Sequence, residues 1–223
     1  MIKFLAGFAA LLAALNLSGG GLPGFVLVLL LALVVVPRPL GFGRPPVRAV
    51  LLALATGALI QAVYLFVDAR LRPDWLWLLV GTFLFHGLAE ELVWRGYVYR
   101  RLRETRPFWR AVLLTMPFVA VAHVPIIVSS GWVVGTAALA VAAVTSAPLA
   151  RLYDLGRGTL WAPAILHAAI DAFKLVIVPP AEAVRFSLLL SAASVLIPLL
   201  VLAVPQQRGI ERVRGARPLS RRS

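Results

Sequence analysis

The stretch that decides the fold is "DWLWLLVGTFLFHGLAEELVWRGYVYRRL", residues 74–102. Its first part, "DWLWLLVGTFLF", has the composition of a membrane-spanning helix, yet the same segment continues into two adjacent carboxylates, Glu90 and Glu91. A charged side chain at the centre of a membrane costs about 2.5–3.5 kcal/mol on insertion scales. The sequence therefore predicts that these two acids either pair with other groups or face a polar cavity.

The composition of the whole chain agrees with a membrane location. Of its 223 residues, 61% are hydrophobic and 14% are charged, and the mean hydropathy is +0.92. A soluble domain has roughly 45–50% apolar and about 25% charged residues. The sequence therefore predicts an integral membrane protein. The chain has no cysteine, which excludes disulfides, thiol nucleophiles and cysteine-ligated metal sites.

Apolar runs recur along the chain, and a spanning helix needs about 20 such residues. We predict spans at residues 4–17, 22–36, 49–67, 75–99, 109–128, 132–150, 159–178 and 184–204. The expected fold is an all-α polytopic bundle of about eight transmembrane helices, forming a single domain over residues 1–204. Residues 205–223 form a polar, basic tail that we expect to be poorly ordered. Residues 1–20 could instead be a cleaved signal peptide, which would leave seven spans in the same orientation.

The distribution of basic residues predicts the orientation of the bundle. With this segmentation, 17 of the 22 Lys and Arg residues lie in the terminal segments and the loops on one side, and three lie on the other. Basic residues concentrate on the cytoplasmic side of membrane proteins. We therefore expect both termini in the cytoplasm. The net charge of +13 is a topology signal that also attracts anionic lipid headgroups; it does not indicate nucleic-acid binding.

Two acids in one helix can be compensated in different ways. Glu91 and Arg95 are spaced i, i+4 with the acid first, the favourable order for a helical ion pair. Glu90 lies about 100° further round the helix and stacks one turn from His86. The pattern predicts a structural ion pair, Glu91 with Arg95, and one acid that faces something else. The alternative is that the span ends early and that Glu90 begins an interfacial helix.

Further polar residues within the spans favour a functional site. All three histidines of the chain, His86, His123 and His167, lie in predicted spans. Asp171 follows His167 at i+4, so the two share a helix face and form a plausible proton or metal site. Lys174 could simply pair with Asp171.

The predicted depths of these groups are compatible with one site. At a rise of about 1.5 Å per residue, Glu90 lies roughly 15 Å from the predicted cytoplasmic end of its span and His123 roughly 22 Å. His167 and Asp171 lie roughly 12–18 Å in. The sequence therefore predicts one intramembrane cavity, nearer the cytoplasmic side.

These residues resemble the motifs of the CAAX-protease and bacteriocin-processing (CPBP, or Abi) intramembrane proteases, which include the Ras-converting CAAX endopeptidases. The family pattern is Glu-Glu-x-x-x-Arg, then Phe-x-x-x-His, then His-x-x-x-Asn, on separate spans of an eight-helix bundle. "EELVWR" (90–95) matches the first motif and is followed by Gly96. "LWAPAILHAAID" (160–171) is similar to the third motif and its lead-in.

The chain departs from the family pattern at two positions. Before His123, the aromatic Phe118 stands five residues back, and the position four back is Val119. The third motif ends in Asp171 where asparagine is commoner. His86 is not a motif position and is an additional site candidate.

The resemblance implies hydrolysis of a peptide bond inside the membrane. Glu90 would be the general base that activates water, helped by His123. His167 and Asp171 would bind the developing oxyanion, and a protonated Asp171 would be needed to donate there directly. An ionised Asp171 would orient His167 instead. Glu91, with Arg95, completes the set of candidate residues.

We favour a site without a metal; zinc held by Glu90, His123 and His167, with or without His86, is the alternative. The expected partners are membrane lipids and a membrane-associated protein or peptide substrate, with no nucleic acid. The alanine-, valine- and arginine-rich composition favours a bacterial origin and a multi-pass protein of the plasma (inner) membrane. Two other functions remain open: a proton-coupled membrane transporter, because proton relays use the same side chains, and a non-catalytic scaffold or immunity protein with the same fold.

Overall fold

A computed structural model of the chain describes residues 2–205 and shows a helical bundle. The helices are α1 Ile2–Leu17, α2 Gly21–Val35, α3 Val47–Leu65, α4 Trp75–Arg103, α5 Phe108–Ser129, α6 Gly135–Leu155, α7 Trp161–Ile170 and α8 Pro180–Ala203. Within the described residues the only strands are β1 Arg70–Leu71 and β2 Val176–Ile177, which pair antiparallel. The predicted all-α class is confirmed. The predicted tail lies outside the described residues from position 206 onward.

Five of the described helices, α3, α4, α5, α6 and α8, are long and apolar enough to cross a membrane, as in a multi-pass membrane protein. Helices α1, α2 and α7 are shorter, so the count of eight spans stays a prediction. The backbone of Gly19, Gly20 and Gly21 is left-handed and reverses the chain after α1. The span predicted at 159–178 stops early, because Asp171–Leu175 tightens into a 3₁₀ turn before β2.

The bundle has two ends that differ in structure and charge. We call the end formed by residues 66–74 and 176–179, with the β1–β2 pair, the ladder end. The arginine end comprises residues 36–46, 104–107 and 156–160. Hydrogen bonds join its loops: Arg100 Nη1 donates to the carbonyl oxygen of Pro39 at 2.6 Å, and the Leu160 amide donates to that of Gly41 at 2.8 Å. Loops predicted to share one side of the membrane therefore lie at one end of the bundle.

The α1–α2 hairpin lies along α4. Near the arginine end, the ring of Phe4 stacks on that of Tyr97 with 5.2 Å between centroids. Near its tip, a Cβ on Gly24 would lie 2.5 Å from the ring of Phe85, so this close approach requires glycine. The hairpin thus covers α4 from Tyr97 to Phe85.

Helix α7 packs against α4 at a second close approach. A Cβ at Gly87 would lie 2.9 Å from the carbonyl oxygen of Ala164. This contact brings His167 of α7 beside the acids of α4. Around those acids α4 winds in wide π-type turns, Phe83–Ala89 and Leu92–Tyr99, a geometry that frequently accompanies functional sites.

Candidate active site

The deepest part of the site is the ion pair between Glu91 and Arg95. Arg95 Nη1 donates to Glu91 Oε1 at 2.8 Å, and both side chains are buried. Arg95 Nη2 also donates to the carbonyl oxygen of Ser146 on α6 at 3.3 Å. The pair therefore joins α4 to α6, and Glu91 is ionised because it faces a guanidinium that is always charged.

His167 extends this pair to α7. Its Nδ1 lies 2.7 Å from Glu91 Oε1, the oxygen that also accepts from Arg95. An ionised carboxylate only accepts hydrogen bonds, so Nδ1 of His167 carries a hydrogen. Nε2 points the other way and lies 3.8 Å from Glu90 Oε2. Glu91 therefore fixes the orientation of the ring and directs Nε2 toward Glu90.

Glu90 is held from the opposite side by His86. His86 Nδ1 lies 2.7 Å from Glu90 Oε1 and 3.4 Å from Asp171 Oδ2. His86 Nε2 lies 2.9 Å from Lys174 Nζ. An ammonium group only donates, so Nε2 accepts and the hydrogen of a neutral His86 is on Nδ1, where it bonds Glu90.

Asp171 and Lys174 form an ion pair beside His86. Lys174 Nζ donates to Asp171 Oδ2 at 2.6 Å. The 3₁₀ turn after α7 places both side chains there. Asp171 therefore lies beside His86, the residue that holds Glu90. The shared helix face had suggested that Asp171 would lie beside His167 instead. The contact between Lys174 and His86 was not predicted from the sequence, because it joins residues 88 positions apart.

His123 occupies a looser position. Its Nδ1 lies 2.8 Å from the carbonyl oxygen of Val119 in its own helix, α5, and the side chain is partly exposed. The residue lies within electrostatic range of Glu90. Phe118, five residues before it, packs edge-on against Phe8 of α1 at 4.9 Å between centroids. The displaced aromatic therefore anchors α5 to the α1–α2 hairpin.

Exposure of the side chains increases from one end of the cluster to the other. It is 0% for Glu91, 17% for Glu90, 28% for His86 and 33% for Lys174. Lys174 adjoins the ladder end, because the next carbonyl, that of Leu175, accepts from the amide of Arg72 at 2.9 Å. The more exposed side chains of the cluster therefore lie toward the ladder end, and the expected position nearer the cytoplasmic side stays a prediction.

The zinc alternative concerns Glu90, His123 and His167, with or without His86. Among residues 2–205, no group of three or more His, Asp or Glu side chains is arranged to hold a metal ion. Nδ1 of His167 is engaged by Glu91, which leaves its Nε2 as the ring nitrogen that faces Glu90, and Nε2 of His86 faces the ammonium of Lys174.

Comparison with known proteins agrees with the motifs. Residues 72–173 match the family model described as Type II CAAX prenyl endopeptidase Rce1-like. The matched segment runs from the start of α4 to the turn after α7 and includes every predicted site residue; Lys174 lies just beyond it. No curated protein matches the chain. The resemblance to the CAAX-protease family is confirmed.

The buried ion pair generates a stability prediction. Replacing Arg95 with methionine leaves Glu91 buried with one partner fewer, and we expect a loss of roughly 3–5 kcal/mol in unfolding free energy, as for other broken buried pairs. Denaturant unfolding in detergent measures it.

Arg101→Met is the matched control. Arg101 pairs with Glu104 at 2.9 Å on the exposed surface of the same helix, and exposed pairs contribute about 0–1 kcal/mol. Equal losses in the two variants would show that burial does not strengthen the Glu91–Arg95 interaction.

Proposed function

We propose that this chain, which carries the Rce1-like endopeptidase domain in residues 72–173, is an intramembrane endopeptidase of the bacterial plasma membrane. It hydrolyses a peptide bond in a membrane-bound or lipid-anchored protein or peptide. The observation that supports this proposal most directly is the environment of Glu90. One of its oxygens is held by His86, and the other faces Nε2 of His167; all three side chains are partly exposed.

Glu90 is the general base. Its Oε1 accepts the Nδ1 hydrogen of His86, which leaves Oε2 to take a proton from water. The 3.8 Å between Glu90 Oε2 and His167 Nε2 is too long for a direct hydrogen bond. It suits a water molecule that bonds both atoms at about 2.8 Å. Such a water would be positioned and deprotonated at the same place.

His167 stabilises the oxyanion. With Nδ1 held by Glu91, a protonated His167 donates from Nε2 to the substrate carbonyl as negative charge develops on its oxygen. His123 lies near enough to Glu90 to add a further interaction. Asp171 accepts from Lys174 and therefore acts as an ionised residue that positions His86, not as an oxyanion donor.

We propose that the reaction uses no metal ion. A chelator applied to the purified protein should leave peptide cleavage unchanged, because side chains alone hold and deprotonate the water. Metal analysis accompanies the assay. Near-stoichiometric zinc that is lost together with activity would contradict this proposal.

The role of Glu90 is tested by Glu90→Gln, which keeps the shape and removes the base. We expect cleavage to fall by about 10²–10⁴-fold, the usual contribution of general acid–base catalysis, while the protein folds normally. The measurement compares membrane proteomes of cells that express each form, scored for new polypeptide termini. Glu104→Gln, which lies directly after the same helix, is the control. A non-catalytic scaffold would show the same termini with either variant.

The positioning role of Asp171 is tested by a double-mutant cycle with Lys174. Asp171→Asn leaves the ammonium of Lys174 without its counter-ion, and Lys174→Met leaves the carboxylate of Asp171 without its counter-ion. We expect each single variant to lower the rate of cleavage about tenfold. The double variant Asp171→Asn/Lys174→Met removes both charges, and its activity should exceed that of either single variant. Losses that simply add would show that the two residues do not act as a pair.

A further inference from the structure

The two halves of α4 differ sharply in packing. Every residue from Glu91 to Tyr99 is buried, whereas none of residues 71–81 is. Glu90 and His86 lie at the boundary between the halves. A substrate that approached from the arginine end would have to pass the packed segment, and one that approached from the ladder end would not.

The α1–α2 hairpin ends just beyond the same boundary. Its tip lies against α4 at Phe85, as the close approach of Gly24 shows, and a Cβ on Gly81 would lie 3.9 Å from Cα of Gly21. At the other end Arg100 donates to three successive carbonyl oxygens after α2, those of Pro37, Arg38 and Pro39. The hairpin is therefore tied down at the arginine end and covers α4 past His86 as far as Gly81 on the ladder side.

The segment beyond the hairpin tip carries apolar side chains. Leu76, Trp77, Leu79 and Val80 are exposed, as expected for a helix surface in contact with lipid. From Trp75 to His86 the helix rises roughly 16 Å. This segment, between the ladder end and His86, thus lies at membrane depth, where a polypeptide anchored in the lipid can reach it from the side.

We infer that the site receives its substrate from the ladder end, that this end faces away from the cytoplasm, and that the substrate is a membrane-anchored polypeptide cleaved in the outer half of the membrane. The orientation follows from the basic residues, which concentrate at the arginine end. Basic residues concentrate on the cytoplasmic side, so the ladder end faces away from the cytoplasm. The statement about substrate rests on the proposed function; the direction of the opening does not.

A labelling experiment tests the opening without any assay of activity. The chain has no cysteine, so each single-cysteine variant reports one position. Lys174→Cys and His86→Cys report the site, Asp68→Cys the ladder end, Thr105→Cys the arginine end, and Val93→Cys the packed half of α4. A membrane-impermeant maleimide is applied to spheroplasts and, separately, to inverted vesicles.

We expect the two site variants and Asp68→Cys to react in spheroplasts, Thr105→Cys to react in inverted vesicles, and Val93→Cys to react in neither. Two site variants are used so that one folding defect does not decide the result. Site labelling only in inverted vesicles, or in neither preparation while detergent-solubilised protein reacts, would overturn the inferred opening. Reaction of Asp68→Cys in inverted vesicles would overturn the inferred orientation.

The substrate is tested in phosphatidylethanolamine–phosphatidylglycerol vesicles that hold the protein in one orientation. The probe is a single-span reporter with a fluorogenic peptide in either the ladder-side or the arginine-side half of its span. We expect cleavage of the ladder-side reporter alone, and its loss in Glu90→Gln. Cleavage of only the arginine-side reporter would overturn the inference about substrate. If the wild type cleaves neither reporter, the inference about substrate fails too. The labelling result still decides the direction of the opening. Cleavage that persists in Glu90→Gln would instead contradict the proposed function.

Discussion

The arrangement of the site depends on one buried oxygen. Glu91 Oε1 accepts from Arg95 on its own helix and from His167 on α7, while Arg95 also reaches a carbonyl of α6. A carboxylate without solvent exposure must be compensated, since an unpaired buried charge is strongly destabilising. The contacts to this one oxygen therefore also set the position of α7 relative to α4 and the orientation of the His167 ring. The atoms that compensate the buried charge are thus the ones that orient the proposed oxyanion donor.

The cluster as a whole balances its charges. Its three acids are Glu90, Glu91 and Asp171, and its permanent cations are Arg95 and Lys174. His86 is neutral when it accepts from Lys174, so protonation of His167 brings the sum to zero. Net charge is costly at membrane depth, and this balance favours the protonated His167 that oxyanion stabilisation needs. The replacement of the family's asparagine by Asp171 adds a negative charge, which Lys174 offsets.

The local part of the site could be predicted from the sequence, and the contacts between helices could not. The spacings Glu91 to Arg95 and His86 to Glu90 lie within one helix, where i, i+4 geometry fixes the neighbours. Asp171, at the same spacing from His167, contacts His86 instead, because α7 ends before it and the chain tightens. Hydropathy located the helices and the break between α1 and α2, but it could not show which end of the cluster is exposed.

The contrast between the two halves of α4 gives the site its direction. The half from Glu91 to Tyr99 is packed on all sides and holds the charges that need protection from lipid and water. The boundary residues His86 and Lys174 are the most exposed of the cluster, and they bond the outer oxygen of Glu90 and the carboxylate of Asp171. This packed half can hold the proposed base and the proposed oxyanion donor at fixed positions, as preorganised catalysis requires. On the proposed route of entry, His86 and Lys174, the most exposed residues of the cluster, lie on the side that the substrate approaches.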